Sequence, residues 1–266
     1  MANLRELAQK PELLSPGHRL CAGCGASITV RQVLKAVDTE VVVATATGCL
    51  EVATTIFPYT AWRTSWIHNA FENTAATLSG VEAAYRALKK RGRINKPYKF
   101  IAFGGDGGTF DIGLQSLSGA MERGHDILYI CYDNEGYMNT GIQRSSATPK
   151  GAATTTSPAG RVEPGKLMHR KDLTAIMAAH NIPYVAQTTP AHSFDLTRKV
   201  AKALAIEGPA FINVLAPCPR GWRANPQDTI KLARLAVDTC YWPLFEIEHG
   251  EYRLNYRPRQ KKPLRE

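Results

Sequence analysis

The feature that most constrains the fold of this chain is a regular alternation of short apolar runs with helical patterns. Five runs rich in β-branched and aromatic residues are predicted as strands, at 40–49, 98–105, 126–134, 182–189 and 209–218. Helical periodicity occurs beside or between them, at 28–37, 71–92, 111–124, 171–181 and 192–208. This alternation predicts an α/β fold with a mostly parallel sheet and helices on both faces.

Four turns with chemically distinctive residues follow predicted strands. They contain Cys49, the glycines after Phe103, the sequence DNEGYMN at 133–139, and Cys218. The carboxyl ends of parallel strands share one edge of a sheet, where open α/β proteins bind ligands. We therefore expect these distant segments to converge. The segment 143–165, rich in Ser, Thr, Gly and Pro, is predicted as a long functional loop.

Charge and hydropathy narrow the classes of function. The 266 residues carry a formal net charge of +10, which favours an acidic partner. No zinc-finger spacing or RNA-binding aromatic motif accompanies this charge, so nucleic acid is not an expected partner. No apolar run reaches about 18 residues, so no membrane-spanning helix is predicted. The N-terminal sequence MANLRELAQK is charged where a signal peptide is apolar, so we expect a cytoplasmic protein.

The sequence GGDGG at 104–108 places a carboxylate inside a glycine-rich turn. A strand, a helix and a second strand separate Asp106 from Asn134, so the two residues are expected side by side. Both are oxygen ligands of the kind that Mg²⁺ prefers, and Mg²⁺ commonly shares protein oxygens with substrate phosphates. The alternative is a glycine-rich turn whose aspartate caps the next helix. The downstream asparagine favours a cofactor site.

Six cysteines are present, and four of them lie in turns. Cys21 and Cys24 form a C-x-x-C motif, whereas Cys49 and Cys218 each follow a strand. Structural zinc usually takes paired short spacings, and one C-x-x-C with two distant cysteines fits a [4Fe–4S] cluster at least as well. Zinc and inert thiols are the alternatives. Cys131 and a sixth cysteine, at position 240, lie in apolar sequence and are predicted to be buried structural thiols.

Several motifs together resemble the β subunit of the 2-oxoacid:ferredoxin oxidoreductases, specifically of the pyruvate type. They are GHRLCAGCGAS, ATGCLEV, FPYTAW, GGDGGTFDIGLQSLSGAMERGHD, CYDNEGYMNTGIQRSSATP and APCPRGW, and they span residues 17–223. The resemblance implies a thiamine diphosphate-binding fold, with residues 1–266 forming one pyrophosphate-binding domain and an embedded [4Fe–4S] cluster. It also implies oxidative decarboxylation of pyruvate to acetyl-CoA and CO2.

The resemblance assigns roles residue by residue. It implies that the cluster ligands are Cys21, Cys24, Cys49 and Cys218. It implies that Mg²⁺ is held by Asp106, Asn134 and the carbonyl of Gly136. The diphosphate would be lined by Gly105, Gly107 and Gly108. The catalytic residues would be Asn139, near the thiazolium and the substrate carbonyl, and Cys49, which also approaches the cofactor. Glu135 is expected to contact the cofactor or to support the turn.

The resemblance also implies partners. Coenzyme A is the cosubstrate, a ferredoxin accepts the electrons, and the complex contains α-, γ- and δ-type subunits. The carboxylate that activates the aminopyrimidine belongs to the partner half, so the chain is expected to be inactive alone. Oxalate and branched-chain 2-oxoacids are alternative substrates. A non-oxidative thiamine-dependent decarboxylase and a non-catalytic metal-binding scaffold are the competing functions.

Two departures from the family pattern stand out. Some relatives carry a glutamate two positions after C-x-x-C that contacts the cofactor, and Ala26 occupies that position here. The chain ends at KKPLRE, where the family pattern leads us to expect a longer C-terminal tail.

Four other polar residues invite a functional interpretation. His68 is predicted to be a hydrogen-bonded core histidine rather than a substrate contact. Glu51 and Glu72 are predicted to be solvated or ion-paired. Arg144 fits either a ligand carboxylate or phosphate, or a structural ion pair.

Overall fold

The computed structural model describes residues 4–264, and its elements follow the predicted alternation. The strands are β1 (Glu40–Thr45), β2 (Ser65–His68), β3 (Tyr98–Gly105), β4 (Leu128–Asp133), β5 (Tyr184–Thr188), β6 (Ala210–Leu215), β7 (Phe245–Glu248) and β8 (Glu251–Leu254). The α-helices are α1 (Leu4–Gln9), α2 (Gly25–Lys35), α3 (Cys49–Thr54), α4 (Thr74–Lys90), α5 (Leu114–Glu122), α6 (Leu173–Ala178), α7 (Ser193–Ala205) and α8 (Thr229–Asp238).

The strands form one sheet in the order β2-β1-β3-β4-β6-β5-β7-β8. The first six strands in this order are mutually parallel, whereas β7 and β8 add an antiparallel edge. The central strands β4, β5 and β6 are buried throughout, as expected for parallel strands with helices on both faces. The predicted mostly parallel α/β sheet is therefore confirmed.

Helices cover the two faces of the sheet with separate apolar layers. On one face, Val33 of α2 and Val200 of α7 belong to one buried cluster. On the other face, Leu78 of α4, Leu117 of α5 and Met177 of α6 belong to a second. All five side chains are fully buried, and burial of each stabilises the fold by about 1.5–3 kcal/mol. The two layers hold the sheet rigid, so the turns at its edge have a fixed frame.

The structure differs from the sequence prediction mainly at short elements. Strands β2, β7 and β8 have four residues each, and α3 has six. Helical geometry after β3 begins with a π-helical turn, Gly107–Asp111, four residues before the predicted start of the helix. Glycines lower helix propensity, so no helix is predicted there. The loop 143–165 contains isolated bridges but no helix or longer strand, as predicted. Within residues 4–264, no helix has both the length and the apolar character needed to cross a membrane.

Candidate active site

The sheet brings the four distinctive turns to one edge. Strands β1, β3, β4 and β6 are consecutive neighbours and run parallel, so their carboxyl ends lie side by side. The turns that follow them contain residues 46–49, 105–108, 134–136 and 216–218. The expected convergence of distant segments is confirmed.

The glycine turn after β3 has little room for side chains. A Cβ atom on Gly105 would lie 3.2 Å from Tyr132 Cε2, and one on Gly107 would lie 2.3 Å from Tyr137 Cε1. The nearest atom to a Cβ on Gly108 would be 3.7 Å away. Bare backbone at a strand end lets a ligand approach the peptide N–H groups closely. This turn therefore has the form of a diphosphate cradle.

Asp106 is a buried carboxylate without a basic partner. Its side chain is 1% exposed, and its Oδ1 accepts a 3.2 Å hydrogen bond from the Asn134 N–H. Its Oδ2 accepts a hydrogen bond from Ser145 Oγ. Burial, and then the charge of Asp133, raises the pKa of Asp106 well above its usual value. None of the ion pairs within residues 4–264 includes Asp106. The site therefore has a deficit of positive charge.

Three oxygen atoms can converge beside Asp106. One terminal atom of the Asn134 carboxamide lies 2.9 Å from Asp106 Oδ1 and 2.9 Å from the carbonyl oxygen of Gly136. If that atom is nitrogen, it donates to both oxygens. If it is oxygen, it lies from each of the other two oxygens at about the spacing of adjacent ligands in an octahedron with Mg–O distances near 2.05 Å. The donor set and its spacing both fit Mg²⁺.

A charged network supports the turn after β4. Glu135 has φ +70°, and its N–H donates a 3.1 Å hydrogen bond to Asp133 Oδ1. Arg170 pairs with Asp133 and lies 3.2 Å from Glu135 Oε1. Tyr241 donates a further hydrogen bond to Glu135. Burial, and then Asp133, raises the pKa of Glu135 to about 7. Its carboxylate thus contacts Arg170 and Tyr241, the arrangement expected of a residue that supports the turn.

The four turn cysteines line a single cavity of about 360 Å³. Asn134 and Asn139 line the same cavity, so it adjoins the oxygen site. Ala26 also lines it and supplies no carboxylate there. The other lining residues are mainly apolar: Leu20, Val52, Ala53, Ile56, Ala216, Pro217 and Pro219, together with Arg19.

Close backbone contacts hold the C-x-x-C turn against the loop after β6. The Gly25 N–H donates a 3.1 Å hydrogen bond to the Pro217 carbonyl. Gly23 has φ +68°, and a Cβ there would lie 2.1 Å from the Pro226 carbonyl oxygen. These glycines permit the approach that brings Cys21 and Cys24 to the cavity.

The electrostatics of the thiols fit a site that needs metal. Burial first, and then Cys24, Cys218 and Cys21, raises the pKa of Cys49 to about 12. Within residues 4–264, no three His, Cys, Asp or Glu side chains are close enough to hold a single metal ion. Each thiolate of a Cys-ligated [4Fe–4S] cluster binds its own iron, so its sulfurs lie farther apart than ligands of one ion. A shared cavity with four separated thiols fits that arrangement.

The two remaining cysteines differ from each other. Cys131 is buried in β4, as predicted. Cys240 is exposed, so the prediction that it is buried was wrong. It follows the C-terminus of α8 with φ +61°, and this left-handed turn directs it away from the core that Val237 and Trp242 enter.

The four other candidates have either local contacts, as His68 and Glu51 do, or exposed side chains, as Glu72 and Arg144 do. His68 is half-buried, and its Nδ1 lies 2.9 Å from the Thr45 carbonyl oxygen. Glu51 accepts a 3.0 Å hydrogen bond from Thr55 Oγ1 and lies 3.9 Å from His68 Nε2. Glu72 is exposed and solvated. Arg144 is also exposed, and it forms no ion pair within the described residues.

Sequence reasoning missed three residues that support the site. Ser145 contacts Asp106, Arg170 holds the turn after β4, and the Trp222 indole donates a 2.9 Å hydrogen bond to the Asn134 carbonyl oxygen. Ser145 lies in the predicted functional loop and Trp222 ends the motif APCPRGW, but neither position predicted these contacts. Arg170 lies outside every motif and is brought in by the path of the chain.

Comparison with known proteins identifies the family. Residues 46–214 match the model of the thiamine pyrophosphate enzyme C-terminal TPP-binding domain. Pyruvate synthase subunit PorB of Methanocaldococcus jannaschii is 60% identical over 97% of this chain and 87% of its own length. PorB of Thermotoga maritima is 55% identical over 99% of this chain and 84% of its own length. Ketoisovalerate oxidoreductase subunit VorB of Pyrococcus abyssi is 49% identical over 93% of this chain and 79% of its own length.

A solved structure supports the fold. The 2-oxoglutarate:ferredoxin oxidoreductase from Magnetococcus marinus, solved with 2-oxoglutarate, coenzyme A and succinyl-CoA bound, superposes with a TM-score of 0.64. The match covers 84% of this chain and 79% of that one, and at 20% identity it shows a shared fold alone. The resemblance drawn from the motifs is confirmed by the sequence relatives. The chain belongs to the thiamine pyrophosphate enzymes and, within them, to the PorB family of 2-oxoacid:ferredoxin oxidoreductase subunits.

Proposed function

We propose that this chain is the catalytic β-type subunit of a pyruvate:ferredoxin oxidoreductase, which converts pyruvate oxidatively to acetyl-CoA and CO2, and that residues 1–266 act as one domain. The observation that carries this proposal is the adjacency of two ligand sets. Four thiols line a cavity, and the Asp106 carboxylate, the Asn134 carboxamide and the Gly136 carbonyl lie beside it, with Asn134 common to both. A thiamine decarboxylase without electron transfer needs only the oxygen set. The names of the PorB relatives favour pyruvate.

The oxygen site would hold Mg²⁺ and, through it, a diphosphate. Asp106, Asn134 and the Gly136 carbonyl would be the protein ligands, and Gly105, Gly107 and Gly108 would line the diphosphate. The buried charge of Asp106 supports this assignment, because an unpaired carboxylate is costly to bury unless a cation compensates it. Glu135 would support the turn through Arg170 rather than touch the metal.

The residues around the cavity would orient the substrate and hold the electron acceptor. When bound, thiamine diphosphate would supply a nucleophilic carbon that accepts the electrons released with CO2, and a [4Fe–4S] cluster would then remove them singly. Cys21, Cys24, Cys49 and Cys218 would ligate that cluster. The exposed Asn139 carboxamide lines the same cavity and would hydrogen-bond the substrate carbonyl. Cys49 would lie nearest the cofactor.

We further propose that activity requires partners. Large apolar side chains are exposed beside the site, including Phe57 at 94% and Tyr59 at 78% exposure, and an α-type subunit would cover them. That subunit would supply the carboxylate that activates the cofactor. Coenzyme A, γ- and δ-type subunits and a ferredoxin complete the proposal, and the net charge of +10 suits an acidic ferredoxin. Reduced thiols at the cavity suit the cytoplasm.

A second substrate class is supported by one relative. The VorB similarity favours a branched-chain 2-oxoacid as the alternative to pyruvate, and oxalate is a further alternative. A metal-binding scaffold without catalysis is the alternative outside enzymes.

Metal and cofactor analysis tests the proposal. The chain is co-expressed anaerobically with its α-type partner, and iron, sulfide, zinc and thiamine diphosphate are measured per heterodimer. We expect about four irons and four sulfides per cluster, as a Cys₄-ligated [4Fe–4S] centre requires, with bound cofactor. Acetyl-CoA formation from pyruvate with ferredoxin reduction should follow once the full complex is assembled. Stoichiometric zinc without iron or thiamine diphosphate would contradict the proposal and leave the scaffold.

A further inference from the structure

The loop after β6 forms a compact turn around a cavity cysteine. The Trp222 backbone N–H donates a 2.8 Å hydrogen bond to the Cys218 carbonyl oxygen. The Gly221 N–H lies 3.3 Å from Cys218 Sγ and donates to it. The position of the sulfur is therefore fixed relative to Gly221 and Trp222.

The same loop contacts the turn after β4 at two points. The Trp222 indole Nε1–H donates a 2.9 Å hydrogen bond to the Asn134 carbonyl oxygen. A Cβ on Gly221 would lie 2.2 Å from Met138 Sδ, so the loop packs directly on this segment. The loop that carries Cys218, a proposed cluster ligand, therefore contacts the turn that carries Asn134, a proposed Mg²⁺ ligand.

The Trp222 indole donates to the first carbonyl beyond the β4–β6 pairing, that of Asn134. The Asp133 carbonyl still accepts from the Ala216 N–H at 2.7 Å, as a continuation of the β4–β6 pairing. The next carbonyl, that of Asn134, accepts from Trp222 instead. Without the indole, this carbonyl would lose its protein donor within the described residues.

The Trp222 ring is itself anchored. It packs against a small buried cluster formed by Leu215, Val237, Trp242 and Leu244. Leu215 ends β6 and Val237 lies on α8, so the ring is held between the sheet and a helix. Because the ring is held on two sides, a shift of the cysteine loop changes the hydrogen bond to the Asn134 carbonyl oxygen and is not taken up by free movement of the ring.

We propose that Trp222 is a positioning residue that couples the cysteine cavity to the metal turn. Filling the cavity with its cluster fixes the Cys218 loop, the indole then fixes the Asn134 carbonyl, and the Asn134 side chain is held ready for Mg²⁺. By linkage, the effect is reciprocal: bound Mg²⁺ and diphosphate fix the same loop from the other side. This inference rests on the proposed function, because it assumes a cluster at the thiols and Mg²⁺ at the oxygens.

Cofactor binding to cluster-loaded and cluster-free protein tests the coupling. The complex with the α-type partner is prepared with its iron intact and after oxidative removal of iron, and Mg²⁺-thiamine diphosphate is titrated into both forms. The measured quantity is the dissociation constant of the cluster-free form divided by that of the cluster-loaded form. The variants are Trp222→Phe, which keeps a ring but removes the donor, and the control Tyr184→Phe, which keeps a ring but removes a 2.8 Å hydrogen bond to Glu246 at the opposite end of the sheet.

We expect the ratio to fall about two- to tenfold in Trp222→Phe, the range set by one hydrogen bond, and to stay at its wild-type value in Tyr184→Phe. The direct electrostatic effect of the cluster is common to all three proteins, so it does not produce this difference. Gly221→Ala, whose added methyl would displace the loop from Met138, should lower the ratio as well. Iron content and thermal unfolding establish that each variant is folded and loaded.

An unchanged ratio in Trp222→Phe with iron and cofactor both bound would overturn the coupling and leave the proposed function intact. An equal fall in Tyr184→Phe would also overturn it, because the effect would then follow from the loss of any buried ring donor. A wild-type complex that binds neither iron nor cofactor would overturn both proposals.

Discussion

Two carboxylate sites in this molecule, both largely shielded from solvent, differ in their partners. Under α7, Asp195 Oδ2 accepts 2.7 Å hydrogen bonds from both Lys199 Nζ and Thr188 Oγ1. Lys199 is fully buried and also donates to the Gln187 carbonyl at 2.9 Å. Each charged group there has its counter-charge inside the chain.

The site at the carboxyl edge of the sheet lacks that completeness. Asp106 is more deeply buried, at 1% exposed against 13% for the Asp195 side chain, yet only uncharged groups contact its carboxylate: the Ser145 hydroxyl, the Asn134 peptide N–H and the Asn134 carboxamide. Among the charged groups around it, Asp133 has the largest effect, and its negative charge adds to burial in raising the pKa of Asp106. A buried charge normally requires a partner or a bound metal.

The difference in partners indicates different roles for the two carboxylates. The Asp195–Lys199 pair holds α7 against β5 and needs nothing from outside. Asp106 has no such counter-charge among the described residues, and this difference supports the Mg²⁺ proposed there. The four cavity thiols are also grouped at this edge, whereas Cys131 and Cys240 lie outside the cavity.

The largest expected effect concerns those thiols. Cys218→Ser should abolish the cluster, because a [4Fe–4S] centre of this type needs four thiolates. Cys240→Ser, at an exposed thiol outside the cavity, should keep all its iron. Iron and sulfide analysis with electron paramagnetic resonance of the reduced complexes measures both. A cluster that survives in Cys218→Ser would break the assignment of the cavity.

The two aspartates should respond oppositely to the same substitution. Asp195→Asn leaves Lys199 buried without its counter-charge, so the free energy of unfolding should fall by about 3 kcal/mol. Asp106→Asn removes an uncompensated charge, so without Mg²⁺ the stability should be unchanged or higher. Urea unfolding in the presence of a chelator measures both changes. Equal losses would contradict the distinction between the two sites.

The pH dependence of the free energy of unfolding should reveal the buried acid Glu135 in the turn after β4. Burial and Asp133 raise the pKa of Glu135 from 4.5 to about 7. The folded chain therefore keeps a proton that the unfolded chain has lost, and this stabilisation is complete below pH 4.5 and lost as pH rises through 7. It amounts to about 3 kcal/mol at most.

Glu135→Gln should flatten the stability curve over that window, whereas Glu163→Gln, at an exposed loop position, should leave it unchanged. Unfolding midpoints in urea between pH 4.5 and 8, without Mg²⁺, give the measurement. The interpretation fails if both variants keep the wild-type slope.

The smallest expected effect is at the hydroxyl that orients Asp106. Ser145→Ala removes the hydrogen bond to Oδ2, and loss of such a supporting contact typically weakens metal binding about tenfold or more. Ser118→Ala removes a comparable 2.8 Å contact with His180 far from the edge and should not change the affinity. Mg²⁺ titrations at fixed thiamine diphosphate distinguish the two. A wild-type affinity in Ser145→Ala would show that the carboxylate needs no such support.

Much of the fold could be predicted because the long buried strands are strongly apolar. The run at 209–218 and the parallel order it implies were sufficient to place Cys218 beside the other turns. Strand β8 could not be predicted, since all four of its residues are exposed and only pairing with β7 defines it. Short elements depend on tertiary contacts more than on local pattern.

The site was predictable to the extent that its residues lie in turns with local motifs. Asp106, Asn134 and the cysteines carry such motifs. Arg170 carries none, and Trp222 ends the motif APCPRGW without a sign of its contact, because both reach the site only when the loop 143–165 and the loop after β6 fold back. The wrong prediction for Cys240 has the same cause: apolar neighbours in sequence do not fix the direction of a side chain beyond a helix end.

The most direct test of the central claim is a titration of thiamine diphosphate into the assembled complex with and without Mg²⁺. Wild type and Asp195→Asn should bind the cofactor tightly only when Mg²⁺ is present. Asp106→Asn should bind at least about 100-fold more weakly and lose most of the Mg²⁺ dependence, since loss of a ligand exceeds the effect of losing its support. If Asp106→Asn instead binds with wild-type, Mg²⁺-dependent affinity, Asp106 is not the metal ligand and the account of this edge is wrong.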